Sequence, residues 1–130
     1  MTDLLFVYGT LQRHGGAHHL LAGHVTPVGT ARLQGRLFEV AGYPGAVLSS
    51  DPGDRVHGEL YRMHDAPTLL ARLDAYEEIG PQFSMPHEYR RETVPITDAA
   101  GKSHTAWTYL YARDTGGLAI VKKGRWSPAI

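Results

Sequence analysis

The chain has 130 residues, 13 Lys+Arg balanced by 13 Asp+Glu, and no cysteine. The missing basic surplus argues against nucleic acid as a partner, because such affinity comes mainly from neutralised phosphates. The missing thiols exclude cysteine nucleophiles, CxxC redox motifs and thiolate zinc sites.

The length suits a single domain over residues 1–130, and 42% hydrophobic residues supply a core without metals or disulfides. The opening MTDLLFVYGTL has no basic leader, and its apolar stretch is too short for a signal peptide. No apolar run approaches the roughly 20 residues needed to cross a bilayer. A cytoplasmic protein with no membrane partner is expected. The one basic cluster, Lys122, Lys123 and Arg125, reads as a solvated tail in preference to a phosphate contact.

Leu4 to Val7 is a short continuous apolar run, the pattern of a strand buried on both faces, and it breaks at Tyr8-Gly9-Thr10. Gln12 to Gly16 is polar and ends in two glycines, a loop signal, and Ala17 to Leu21 is expected to add a helical turn. From Val28 onward Gly and Pro punctuate short strands. In ARLQGRLFEV, residues 31–40, Gly35 is expected to mark a bulge. Tyr43-Pro44-Gly45 reads as a turn, and VHGELY from Val56 as another strand.

Asp65 is a plausible N-cap and Pro67 suits a first turn, so the sequence predicts a helix through TLLARLDAYEE up to Gly80-Pro81. Strand character resumes at TVPI and again over Thr105 to Arg113. There Trp107, Tyr109 and Tyr111 alternate with Ala106, Thr108 and Leu110. Many short strands with one firm helix point to α+β, with a mixed sheet curling toward a barrel.

The chemistry centres on Glu77. On a helical wheel Leu69, Leu70, Leu73 and Tyr76 define an apolar stripe; Glu77 falls roughly 50° from its centre, Asp74 about 110° and Glu78 about 150°. Glu77 is thus expected at the edge of the core, where partial desolvation raises a carboxylate pKa toward the range of a general base. The structural alternative is that Glu77 caps the helix or pairs with Arg90 or Arg91. The second candidate is Tyr8-Gly9-Thr10-Leu11, where a buried strand breaking at glycine exposes successive N–H groups, an anion-binding concavity. Neither GxxxxGK[ST] nor GxGxxG nor GxSxG occurs.

His14, His18, His19 and His24 invite a metal reading, but no HExxH occurs, and solvated or structural roles are expected. Tyr109 and Tyr111 read first as core residues, with Tyr109 also a possible substrate contact.

In order, FVYGTL, ARLQGRLFEV with GYPGAV, VHGELY, LDAYEE, YRRETV, TAWTYLY and a closing GRW resemble the gamma-glutamylcyclotransferase-like (AIG2-like) family over nearly the whole chain. The resemblance implies a small mixed β-barrel with flanking helices and a substrate cavity at one end. It implies that Glu77, not Glu78, is the acid–base, and that Tyr8, Gly9, Thr10 and Leu11 hold a glutamyl moiety, largely through main-chain groups. It further implies conversion of a γ-glutamyl amine or peptide to 5-oxoproline and a free amine, with neither cofactor nor metal.

This chain departs from the family pattern in three places. Gly15-Gly16-Ala17-His18-His19 stands where an Asn is common, and Gly124-Arg125-Trp126 where Gly-Asp-Trp is common. The segment IGPQFSMPHE is long, and two roles are open to it: a flap on the leaving-group side, or packing against a partner subunit. The departures around His18 and Arg125 motivate the alternative of a non-catalytic protein that binds γ-glutamyl or amino-acid-like small molecules on the same fold.

Overall fold

The computed structural model describes residues 2–127. Strand β1 (Leu4–Val7) is followed by a 3-10 turn (His18–Leu20), β2 (Val25–Leu33), β3 (Gly35–Glu39), β4 (Pro44–Leu48) and β5 (Val56–Met63). Helix α1 (Ala66–Tyr76) precedes β6 (Tyr89–Asp98), β7 (Ser103–Tyr111) and the short β8 (Ala119–Ile120). Five strands close a barrel in the order β1-β5-β2-β6-β7, and β4-β3-β8 form a separate small sheet. The barrel pairs are antiparallel except for a parallel closure of β1 on β7, where Leu5 faces Trp107. The fold is α+β, a small mixed barrel as expected from the sequence, with one α-helix among the described residues.

Period-two alternation divides β1, β5 and β7 between two cores. Leu4, Phe6 and Tyr8 of the N-terminal run join Val56, Leu60, Ala106 and Leu110 in one cluster. Leu5 and Val7 point the other way and pack with Tyr109, Tyr111 and the helix residues Leu69, Leu70 and Leu73. This explains why the first strand reads as continuously apolar: it is buried on both faces. The alternation expected in β7 is present, with Trp107, Tyr109 and Tyr111 on the helix side.

Local boundaries differ from expectation in four places. Gly35 is not a bulge: β2 ends at Leu33 and β3 begins at Gly35, where an added Cβ would meet the Val47 carbonyl oxygen at 2.4 Å. The register shift lies earlier, between Pro27 and Gly29. Pro44 and Gly45 are not a turn but the start of β4, and Gly45 is needed because the Tyr111 ring lies 2.9 Å from where a Cβ would stand. The strand expected at TVPI begins four residues sooner, at Tyr89.

The fourth difference concerns the helix. Asp65 caps it as expected, accepting from Thr68 N–H at 3.3 Å and from the Thr68 hydroxyl at 2.9 Å, with Pro67 in the first turn. The helix stops at Tyr76, well short of Gly80, because Glu78 adopts a left-handed conformation with φ +58°. Glu78 N–H donates to Ala75 O (3.1 Å) and Ile79 N–H to Asp74 O (2.8 Å). This is the paired closure of a Schellman cap, with glutamate where glycine is usual.

Candidate active site

The cap determines where Glu77 goes. Glu77 is the C-cap residue, φ −82° and ψ 4°, its own N–H still donating to Leu73 O at 2.9 Å. Its side chain lines a cavity of about 370 Å³, together with Tyr8, Gly9, Thr10, Leu11, Tyr109 and other residues. All six site residues singled out from the sequence therefore meet at one cavity. Glu78 also reaches its rim although the residue is exposed. Tyr76, placed on the apolar stripe from the sequence, is 45% exposed instead. Its hydroxyl lies 3.2 Å from the Thr10 hydroxyl, joining the helix end to the loop.

Glu77 has no ion pair among the described residues. The arginines that could have neutralised it are engaged elsewhere. Arg91 Nε and Nη2 donate to Asp74 at 2.8 and 3.0 Å, and Arg90 pairs with Glu92. Burial, reinforced by the charge of Glu88, pushes the Glu77 carboxyl up to about 7. Glu88 itself accepts from the Tyr43 hydroxyl at 2.7 Å. Burial and that bond to Glu88 push the Tyr43 phenol up to about 12.

The loop after β1 presents donors. Its carbonyls are taken by the chain: Gln12 Nε2 donates to Tyr8 O (2.8 Å), Gln12 N–H to Gly9 O (3.0 Å) and Ala17 N–H to Thr10 O (2.9 Å). The N–H groups of Gly9, Thr10 and Leu11 find no protein acceptor among the described residues. Three consecutive free amides beside a cavity are suited to holding an anion. Gly9 does not have positive φ; glycine is required because a Cβ would stand 2.6 Å from Pro44 Cγ.

The Tyr8 side chain is occupied. Its hydroxyl donates to Tyr109 O at 2.6 Å and accepts from Ala46 N–H at 3.1 Å, within the barrel core. The Tyr109 hydroxyl donates to Asp74 at 2.8 Å, so this ring both packs in the core and borders the cavity.

A family model described as "Gamma-glutamyl cyclotransferase, AIG2-like" matches residues 5–128. The chain belongs to that family. Among family members, gamma-glutamylcyclotransferase family protein YtfP of Escherichia coli strain K12 is 33% identical over 124 residues, 94% of each chain. The solution structure of E. coli YtfP superposes with a TM-score of 0.65 at 34% identity, over 95% of both chains. The crystal structure of YkqA from Bacillus subtilis gives a TM-score of 0.73 at 28% identity, over 97% of this chain and 40% of that longer one. The crystal structure of an AIG2-like protein from mouse shares the fold at 22% identity, with a TM-score of 0.66 over 98% of this chain and 96% of that one.

Sequence reasoning missed Tyr43, Pro44 and Tyr89, which also line this cavity, and Glu88, which acts on Glu77. Tyr89 opens the YRRETV segment and was accessible in principle; its hydroxyl donates to Pro44 O at 2.6 Å. Nothing in one sequence would have paired Tyr43 with Glu88. The segment from Ile79 to Glu88, one of whose expected roles is a flap, does not line this cavity. Ile79, Met85, Pro86 and His87 border a neighbouring hollow with Arg91 and Trp107. Among the described residues no three His, Asp or Glu side chains converge as a metal site. His18 lies against Leu11 O at 2.9 Å, and His64 against the Thr26 hydroxyl at 2.8 Å.

Proposed function

We propose that this protein is a cofactor-independent cyclotransferase that converts a γ-glutamyl amine or γ-glutamyl peptide to 5-oxoproline and a free amine. The observation that carries the reading is a partly buried, unpaired carboxylate, raised to about 7, sharing one cavity with three uncommitted backbone amides.

In this reading the Gly9, Thr10 and Leu11 amides receive the α-carboxylate of the glutamyl group, which orients its α-amine. The amine nitrogen attacks the γ-carbonyl carbon, forming the ring C–N bond. Glu77 takes the proton that the nitrogen sheds and returns it to the leaving nitrogen as the original amide C–N bond breaks. Atoms balance without water or any oxidant. A carboxylate near 7 can accept the proton shed by the attacking nitrogen and return it to the leaving one near neutral pH. Because attack is intramolecular, holding the glutamyl chain folded contributes on the order of 7–11 kcal/mol.

The test is to incubate the protein with a panel of γ-glutamyl amines and dipeptides and to measure 5-oxoproline. Product from at least one substrate, reduced roughly 100-fold or more in Glu77→Gln, is expected. No product across the panel, or full activity in Glu77→Gln, overturns the reading. A non-catalytic binder would instead show thermal stabilisation by γ-glutamyl compounds that Glu77→Ala leaves intact, with no turnover.

A further inference from the structure

A second cavity, of about 670 Å³, is lined by Arg32, Arg55, His57, Lys123, Arg125 and Trp126, with Glu59 and Asp98 also on its wall. We propose that it binds a small phosphate-bearing polyanion, recognised by the guanidinium groups of Arg32, Arg55 and Arg125.

These arginines differ from most others in the chain. Arg36, Arg62, Arg90, Arg91 and Arg113 each have a carboxylate partner. Arg32, Arg55, Arg125 and Lys123 have none among the described residues. The two carboxylates on the same wall keep their charge but are held by other donors rather than by these arginines. Glu59 accepts from Arg13 N–H (2.7 Å) and the Tyr61 hydroxyl (2.8 Å). Asp98 accepts from Ala100 and Lys102 N–H (both 2.9 Å) and lies 2.7 Å from His104 Nε2. On this wall Arg32, Arg55, Lys123 and Arg125 outnumber the two carboxylates, so the cavity carries a local excess of positive charge in a protein of zero formal net charge.

The gathering is built by the backbone. Gly124 has φ +65°, and its Cα packs so closely on Arg55 that a Cβ would stand 1.9 Å from the Arg55 carbonyl oxygen. Gly124 O accepts from His57 N–H at 2.8 Å. These contacts fix Arg125 next to Arg55, while β2 supplies Arg32. Their proximity is felt at His57, held below its usual range by burial first, then by Arg125, Arg55 and Arg32. Planar guanidinium groups match phosphate oxygens with paired donors, and several arginines around one site suit a multiply charged phosphate better than a single carboxylate.

Gln12 lines this cavity too, and its side-chain amide holds the Tyr8 and Gly9 carbonyls. A ligand here would rest against the back of the loop whose front faces Glu77. The site stands whatever reaction occurs at Glu77.

Calorimetric titration of the full chain at low salt, with orthophosphate, pyrophosphate and a nucleoside triphosphate as separate probes, tests this. Saturable one-site binding is expected, tighter for pyrophosphate or the nucleotide than for orthophosphate, with the Trp126 indole and His57 NMR signals moving on addition. The orthophosphate and nucleotide arms separate an inorganic ligand from a phosphorylated metabolite. Arg55→Gln and Arg125→Gln should each weaken binding about tenfold or more, whereas Arg62→Gln, which removes equal charge elsewhere, should not. Three results overturn the proposal: no saturable binding by any probe, equal weakening in Arg62→Gln, or citrate binding as tightly as pyrophosphate.

Discussion

Asp74 and Arg91 are joined by two parallel hydrogen bonds that tie the last turn of α1 to strand β6, with the Tyr109 hydroxyl as a third donor to the same carboxylate. The pair is about three-quarters buried, its side chains 22% and 25% exposed. Arg91 also stacks over Trp107, its guanidinium carbon 4.5 Å from the ring centroid. Glu77 follows Asp74 by three residues, so this clamp sets where the helix end lies. Asp74→Ala should lower unfolding stability by about 1–3 kcal/mol, since it strands a partly buried guanidinium and a phenol. Urea denaturation checks that figure, and kcat should fall with it if the proposed acid–base is displaced.

Glu77 should show the opposite relation between stability and activity. Its carboxyl is raised from 4.5 to about 7 in the folded chain. Between those values the folded state binds more protons than the unfolded state, so stability falls as pH rises through that window and levels off above it. Glu77→Gln removes the cost of a buried charge. It should raise stability at pH 8 by on the order of 2 kcal/mol, a figure reduced for the residual solvation of a part-exposed side chain. The same variant should lose roughly 100- to 10,000-fold in kcat. Thermal or urea unfolding at pH 4.5 and pH 8 separates the two effects, because the gain should vanish at the lower pH.

Glu88 contributes to the raised pKa of Glu77 through its charge. In the proposed reaction the acid limb of kcat against pH reports Glu77, rising toward a plateau above about 7. Glu88→Gln should move that limb to lower pH, since one of the two causes of the shift is gone. The limb belonging to the substrate amine should stay in place. A pH–rate profile in which Glu88→Gln leaves the acid limb unmoved would show that Glu88 does not act on the base.

Glu78 is the one described non-glycine residue at positive φ, and its side chain is exposed. A left-handed conformation costs an ordinary residue about 1–2 kcal/mol relative to glycine. Glu78→Gly should therefore stabilise the protein by about 1 kcal/mol, less whatever the more flexible unfolded chain takes back. Chemical denaturation measures it directly. A net loss of stability would mean that the Glu78 side chain makes a favourable contribution at the cavity rim.

The same residue marks where sequence reading reached its boundary. The start of α1 was legible because Asp65, Pro67 and Thr68 carry local, chemically specific signals. Its end was not, since Gly80 offered an obvious stop while the actual stop is a glutamate forced into a glycine conformation. The two faces of β1 and β7 were legible from hydrophobicity alone, because burial on each side leaves a periodic trace. Pro44-Gly45 misled because turn composition and a close approach to Tyr111 look alike in sequence. For the site, Glu77 stood out by its angular position, even though it proved to be a cap residue rather than one on the helix. Glu88, eleven residues on through an aperiodic segment, left no pattern from which its nearness to Glu77 could be read.

The barrel closes where Leu5 of β1 meets Trp107 of β7. That single parallel rung joins residues about a hundred positions apart, so closure belongs to the non-local contacts that form late and slowly. The cavity spans the same separation, with Tyr8 to Leu11 on one side and Tyr109 on another. During synthesis the early loop must wait until β7 has left the ribosome before it has a wall to face. A chain interrupted before residue 103 has neither a closed barrel nor a bounded cavity. Such fragments should be inert as well as unfolded, and would expose β1, apolar on both faces, as an unpaired edge.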